Sequence, residues 1–316
     1  MTVTRVAAID CGTNSIRLLV ADVDPDEGTL VELNRQMEIV RLGEGVDETG
    51  RLSTAALERT FAACDFYAET IRGLGAERTR FVATSASRDA TNRGTFVSGV
   101  RRRLGVEPEV VPGTEEAALS FAGATRELLG TPAGAEAPYL VVDIGGGSTE
   151  FVVGTDRPDA ALSVDIGCVR MTERHLVSNP PHDREIVDAI HDIDLAIERA
   201  GKAVPFESAR SLIGLAGSVT TVAAIALGLP EYDSARIHHS RIPAADVHRI
   251  ARELLEMDRA QRAALPVMHP GRVDVIGAGA LVLSRIVERV GLPEVVVSEH
   301  DILDGIAWSQ VTELTS

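Results

Sequence analysis

One local pattern occurs twice in this chain and limits what it can become. Residues 6–10 form an apolar run ending in Asp10. Cys11, Gly12, Thr13, Asn14 and Ser15 make a small-residue turn, and residues 16–23 return as a second apolar run. The pattern repeats from Tyr139 to Gly154: a run ending in Asp143, a turn through Ile144, Gly145, Gly146, Gly147 and Ser148, and a return from Thr149. In both copies a glycine follows the aspartate by two positions and a serine follows it by five. Apolar runs of this length flanking a Gly-rich turn read as β-hairpins. A hairpin repeated at this separation implies two domains built on one plan. The clearest linker is Gly130 to Pro138, rich in Gly, Ala and Pro. It places the domains at 1–130 and 131–316, with the last helix able to pack back on the first domain.

The rest of the chain reads as α/β units. Residues 80–84 form a strand, and residues 85–92 open a helix. A strand ends in residues 110–114. A helix begins at Glu115 with Thr114 as its N-cap. Residues 211–216 form a strand, residues 217–221 a connecting turn, and residues 222–227 a helix.

Composition removes several classes of function. The 316 residues are 45% hydrophobic and 25% charged, an ordinary globular balance. No apolar run reaches the roughly 18 residues of a membrane helix, and the N-terminus has no signal-peptide pattern. The expectation is a soluble cytoplasmic protein without membrane partners. A net charge of -16 opposes a nonspecific nucleic-acid coat. It still permits a phosphate site, because salt screens such a field within about 10 Å. The three cysteines, Cys11, Cys64 and Cys168, have no disulfide or zinc spacing. Lys202 is the only lysine, and no glycine-rich loop of the P-loop type precedes it. HExxH, GxSxG and GxGxxG patterns at their proper positions are missing too.

Glycines in a tight turn let backbone N–H groups converge on an oxyanion without Cβ obstruction. Either loop alone also reads as an ordinary tight hairpin. The matched pair does not, because a turn by itself gives no reason for acid, Gly and Ser to keep register. Two such loops facing each other across a cleft could clasp adjacent phosphates.

Asp10 to Arg17 and Asp143 to Glu150 resemble the two phosphate motifs of the exopolyphosphatase/guanosine pentaphosphate phosphatase (Ppx/GppA) family. The resemblance continues through residues 41–45, 83–86, 113–117 and 217–221, and covers nearly the whole chain. It implies an α/β fold of two ribonuclease H-like domains, as in the actin/hexokinase/Hsp70 superfamily, with an interdomain active-site cleft. Longer family members carry further C-terminal helical domains; this chain resembles the two-domain core. Cys11 stands where an aliphatic residue is commoner, a packing variation.

The resemblance also assigns roles. Glu116 is the general base, with Glu115 as the alternative if the register shifts by one. By local sequence alone, either acid complements the dipole of a helix N-terminus, stabilising by about 0.3–1 kcal/mol. Gly12, Thr13, Asn14 and Ser15 bind phosphate from the first loop, and Gly145, Gly146, Gly147 and Ser148 from the second. Arg17 and Arg88 are phosphate ligands, suited by the planar guanidinium fork; Arg272 is a weaker candidate. Asp143 and Glu150, and less securely Asp10, are linked to Mg²⁺, with Mn²⁺ or a monovalent cation as alternatives. Arg101, Arg102 and Arg103 read as the solvated end of a helix. His238 and His239 suggest a metal, but adjacent histidines on a loop rarely share one ion.

The function implied is hydrolysis of the terminal phosphoanhydride of inorganic polyphosphate, on short chains, releasing orthophosphate. The alternative is 5'-phosphohydrolysis of guanosine pentaphosphate. More remote alternatives are an actin-like ATPase or sugar kinase, and a non-enzymatic alarmone-binding sensor. A homodimer is compatible with all of them.

Overall fold

The structure, a computed structural model, describes residues 3–128 and 135–311. It separates into two compact units, 1–123 with 302–316, and 124–301. The expected boundary at 130/131 lies outside the described residues, as do residues 130–134 of the expected linker.

The first unit is built on a five-stranded sheet of β1 (Thr4–Cys11), β2 (Ser15–Asp24), β3 (Thr29–Ile39), β4 (Arg78–Ala83) and β5 (Glu109–Val110). Their order is β3-β2-β1-β4-β5. The first three strands run antiparallel, and β4 and β5 run parallel to β1. A strand covered on both faces has no polar side, so β1 is apolar at consecutive positions rather than alternate ones. Ala7, Ile9 and Cys11 pack with Leu57, Cys64 and Tyr67 of helix Thr54–Leu74 and with Phe96 and Val100 of helix Arg93–Leu104. Val6 and Ala8 pack with Leu119 and with Ile302, Ile306 and Trp308 of the last helix, Ile302–Ser309. That helix approaches Leu119 at Gly305, where an added Cβ would lie 2.0 Å from the Leu119 carbonyl oxygen.

The second unit repeats the plan. Its strands are β6 (Tyr139–Ile144), β7 (Thr149–Gly154), β8 (Pro158–Val164), β9 (Ser211–Leu215), β10 (Arg241–Pro243) and β11 (Glu294–Val297). Their order is β10-β11-β9-β6-β7-β8. Here β6, β7 and β8 are antiparallel, β9 is parallel to β6, and β11 is parallel to β9. The short antiparallel β10 is an addition at the edge. Strand for strand, β8-β7-β6-β9-β11 matches β3-β2-β1-β4-β5. Both units therefore have the ribonuclease H-like strand order of the actin/hexokinase/Hsp70 superfamily.

Two local expectations need correction. The helix expected to begin at Glu115 spans Gly113–Thr125, so Thr114 lies inside its first turn instead of capping it. The helix expected over 222–227 spans Ala216–Ala226, so residues 217–221 are helical. It starts from a left-handed Ala216, with φ of 67°, which lets the chain turn from β9 into the helix without a spacer. No described helix is long and apolar enough to cross a membrane.

Candidate active site

The two hairpin loops are closed by the same bond. Gly12 N–H donates to the Ser15 carbonyl and Gly145 N–H to the Ser148 carbonyl, each at 3.0 Å. The other loop carbonyls are taken from behind. In the first unit, Thr13 O accepts from Gly43 N–H, and Asn14 O from Val40 and Arg41 N–H. In the second, Gly145 O accepts from Cys168 N–H, Gly146 O from Val169 and Arg170 N–H, and Gly147 O from the Arg170 side chain at 2.7 Å. Across a planar trans peptide the next N–H points opposite to its carbonyl. The N–H groups of Asn14 and Ser15, and of Gly146, Gly147 and Ser148, are therefore turned away from these backing segments. Clustered N–H groups of this kind form an anion nest. Gly167 permits the backing in the second unit: a Cβ there would sit 2.2 Å from the Gly146 carbonyl carbon.

The residues opposite each aspartate separate the two hairpins chemically. In the β1/β2 ladder Asp10 faces Arg17, and in β6/β7 Asp143 faces Glu150. Arg17 donates to Asp10 Oδ2 from Nη2 at 2.6 Å and Nε at 3.1 Å. The first position is thus an internally neutralised pair. The second holds two buried carboxylates on adjacent strands, and like charges directly opposite are destabilising. The serines at this end of the hairpin hold one of them. Ser148 Oγ and Ser163 Oγ both donate to Glu150 Oε1, at 2.8 and 2.7 Å. Ser163 stands directly opposite Glu150 on β8.

Glu115 and Glu116 both lie in the first helical turn after Pro112 and face different surroundings. Glu115 is ion-paired to Arg80 at 2.6 Å, and its side chain is 41% exposed. Glu116 is 10% exposed, and its Oε2 accepts from Arg88 Nη1 at 3.0 Å. The same Nη1 donates to Val111 O, which fixes the guanidinium beside the carboxylate. Arg88 ends the short helix Ser85–Asp89. That helix is tied to the first phosphate loop by a 2.9 Å bond between the hydroxyls of Ser85 and Thr13.

In the first unit, then, the structure brings together Thr13, Arg88 and Glu116 through their connecting segments, with Arg17 and Asp10 paired on the adjoining strands. In the second it groups Gly145 to Ser148 with Asp143 and Glu150. Arg272 lies against Gly217 and donates to Thr221 Oγ1 at 2.9 Å. Arg103, at the end of its helix, donates to Asp65 and lies over the Phe61 ring, while Arg101 and Arg102 are exposed. Sequence reasoning missed Gly167, Arg170 and Ser163. Gly167 and Arg170 follow β8 in a Gly-Cys-Val-Arg stretch that carries no phosphate-loop signature. A glycine directly before a helix was the one available signal.

Each of the two ribonuclease H-like units thus sets clustered loop N–H groups beside an aspartate. Residues 19–313 match the Ppx/GppA phosphatase family, and the chain belongs to it. It is 50% identical to exopolyphosphatase 2 of Mycobacterium tuberculosis H37Rv, over 98% of this chain and 99% of that one. It is 28% identical to a guanosine-5'-triphosphate,3'-diphosphate pyrophosphatase of Photobacterium profundum, over 98% of this chain and 59% of that one. The crystal structure of an exopolyphosphatase-like protein superposes with a TM-score of 0.93 at 43% identity, covering 97% of each chain.

Proposed function

We propose that the protein is an exopolyphosphatase, removing orthophosphate from the end of inorganic polyphosphate. The observation that carries this reading is the contrast between the two hairpins. One aspartate is neutralised by an arginine, while the other faces a second buried carboxylate. A nest beside an Asp–Arg pair suits a phosphate directly, and a nest beside two carboxylates suits a phosphate that arrives with a cation.

The donor set of Asp143 and Glu150, hard carboxylate oxygens, fits Mg²⁺ and equally Mn²⁺. Such an ion would neutralise charge on the phosphate oxygens. Asp10, engaged by Arg17, serves to orient that guanidinium. Arg17 and Arg88 stabilise the negative charge that spreads over the transferred phosphoryl group. The clustered N–H groups of each loop suit phosphate oxygens. Glu116 takes the proton of the attacking water and directs it in line with the leaving oxygen. Arg88 stands beside Glu116 and orients its carboxylate. Glu115 is assigned to the ion pair with Arg80 and not to the chemistry. No protein nucleophile is required.

The deciding experiment measures phosphate release from short polyphosphate, long polyphosphate and guanosine pentaphosphate in parallel. Faster turnover of polyphosphate supports the reading, and turnover of guanosine pentaphosphate alone overturns it. That second activity is favoured by the relative in Photobacterium profundum. In the same assay activity should vanish in excess chelator and return with Mg²⁺; full activity in chelator would remove the metal assignment from Asp143 and Glu150.

A further inference from the structure

Three side chains from distant segments of the second unit converge in a further cluster. Glu127 follows helix Gly113–Thr125, His238 follows helix Ser234–Ile237, and His300 lies in the turn after β11. Glu127 Oε2 stands 3.3 Å from His238 Nε2 and 3.2 Å from His300 Nδ1. All three ligand atoms lie within 4.8 Å of one another. Without metal these contacts are long hydrogen bonds, against about 2.7–2.9 Å for a charge-assisted one. Bonds of about 2.0–2.1 Å at tetrahedral angles put neighbouring ligand atoms about 3.3–3.4 Å apart. The two separations from Glu127 match that edge, and the two imidazole nitrogens stand within 4.8 Å of each other. The histidine partner is thus not the sequence neighbour: His238 works with His300, while His239 stacks on it at 3.7 Å.

His239 closes the site from one side. Its backbone is left-handed, with φ of 59°, and its N–H is bound to Val297 O. Its Nε2 is buried without a hydrogen-bond partner among the described residues.

We propose that Glu127, His238 and His300 bind a divalent cation of the Zn²⁺ class, at a site separate from the oxygen-ligand site of Asp143 and Glu150. Imidazole nitrogen suits Zn²⁺ and Co²⁺ and does not suit Mg²⁺. The fourth position is left to water. Glu127, His238 and His300 come from segments far apart in the sequence of the second unit, so the ion ties those segments together. Its role is structural. Glu299 N–H donates to His238 Nδ1 at 3.1 Å; coordination through Nε2 places the ring proton on Nδ1 and gives up that bond.

The test uses the full chain, stripped with chelator and desalted, in excess Mg²⁺. Calorimetric titration with Zn²⁺ should show one ion per chain with a Kd below about 10 µM. Co²⁺ should give the visible absorption of a tetrahedral site. His300→Ala and Glu127→Gln should each weaken Zn²⁺ binding at least tenfold and leave Mg²⁺-supported phosphate release within about twofold. Binding weaker than about 10 µM in the wild type, or unchanged in both variants, overturns the proposal. Should a variant fail to fold, the wild-type isotherm and Co²⁺ spectrum decide alone.

Discussion

At the scale of single residues, burial and pairing separate neighbours that look alike in sequence. Glu115 and Glu116 are adjacent acids, yet one is half-exposed on Arg80 and the other buried on Arg88. Glu116→Gln should cut kcat by about 10²–10⁴, the usual contribution of a general base, while leaving substrate affinity within a few-fold. Glu115→Gln removes only a partly exposed ion pair and should keep kcat within about tenfold. Steady-state kinetics on the two variants check both, and equal losses would move the base assignment off Glu116. Glu127 gives a pH signature. Its folded pKa is depressed, chiefly by hydrogen bonds from His238 and His300. Its stabilising contribution is therefore present above the unfolded value of 4.5 and is lost as pH falls below it. Melting temperature should drop less steeply below that pH in Glu127→Gln than in the wild type; parallel slopes would dissociate Glu127 from acid stability. The acids and arginines were legible as candidates because the hairpins and the family resemblance single them out. Their partners were not, because Arg80, Ser163 and Arg170 come from segments outside those motifs.

At the scale of elements, glycine contacts show which packings have no slack. Gly167 packs behind the glycine loop of the second unit. Gly167→Ala would push its Cβ into the backbone of Gly146 and Gly147, contacts of 2.2–2.4 Å that no rotamer relieves. The variant should fold and lose at least about tenfold in kcat, since loss of preorganised donors costs about 10²–10³ in comparable sites. Near-wild-type kcat would show that the backing segment does not set the loop. Gly305→Ala meets the Leu119 carbonyl at 2.0 Å, outside both hairpin loops in sequence. Overpacking of about 1–3 kcal/mol should lower Tm by about 2–12 °C with activity retained below the transition. Calorimetry and an assay at low temperature test this. Strands were readable as elements because both faces of β1 and β6 are covered, leaving unbroken apolar runs. Helix starts were less readable. The left-handed Ala216 and the Pro112 carbonyl start their helices earlier than propensity alone suggests.

At the scale of the whole molecule, charge decides what kind of polyanion can be held. The protein carries -16, and polyphosphate adds about one negative charge per unit. Local phosphate contacts can hold the terminal units on the proposed reading, but a long chain lying on an acidic surface is repelled. Short chains should be preferred and processivity should be weak. In a competition of mixed short and long polyphosphate followed by gel, short chains should disappear first with intermediate lengths visible. Long chains vanishing first without intermediates would mean a continuous basic track exists and the charge argument fails. The sequence by itself determined the duplicated plan, because Asp, Gly and Ser keep the same spacing in two apolar hairpins. It determined the family as well, and with it the pool of acids and arginines that could act on phosphate. Tertiary structure alone decided which aspartate is neutralised and which faces another carboxylate. It also decided which of two adjacent glutamates is buried, and which histidines meet. Hairpin spacing is set by neighbours a few residues away, and so is written locally. Charge pairing and burial depend on contacts between segments tens to hundreds of residues apart, which come together only when the sheets and helices pack.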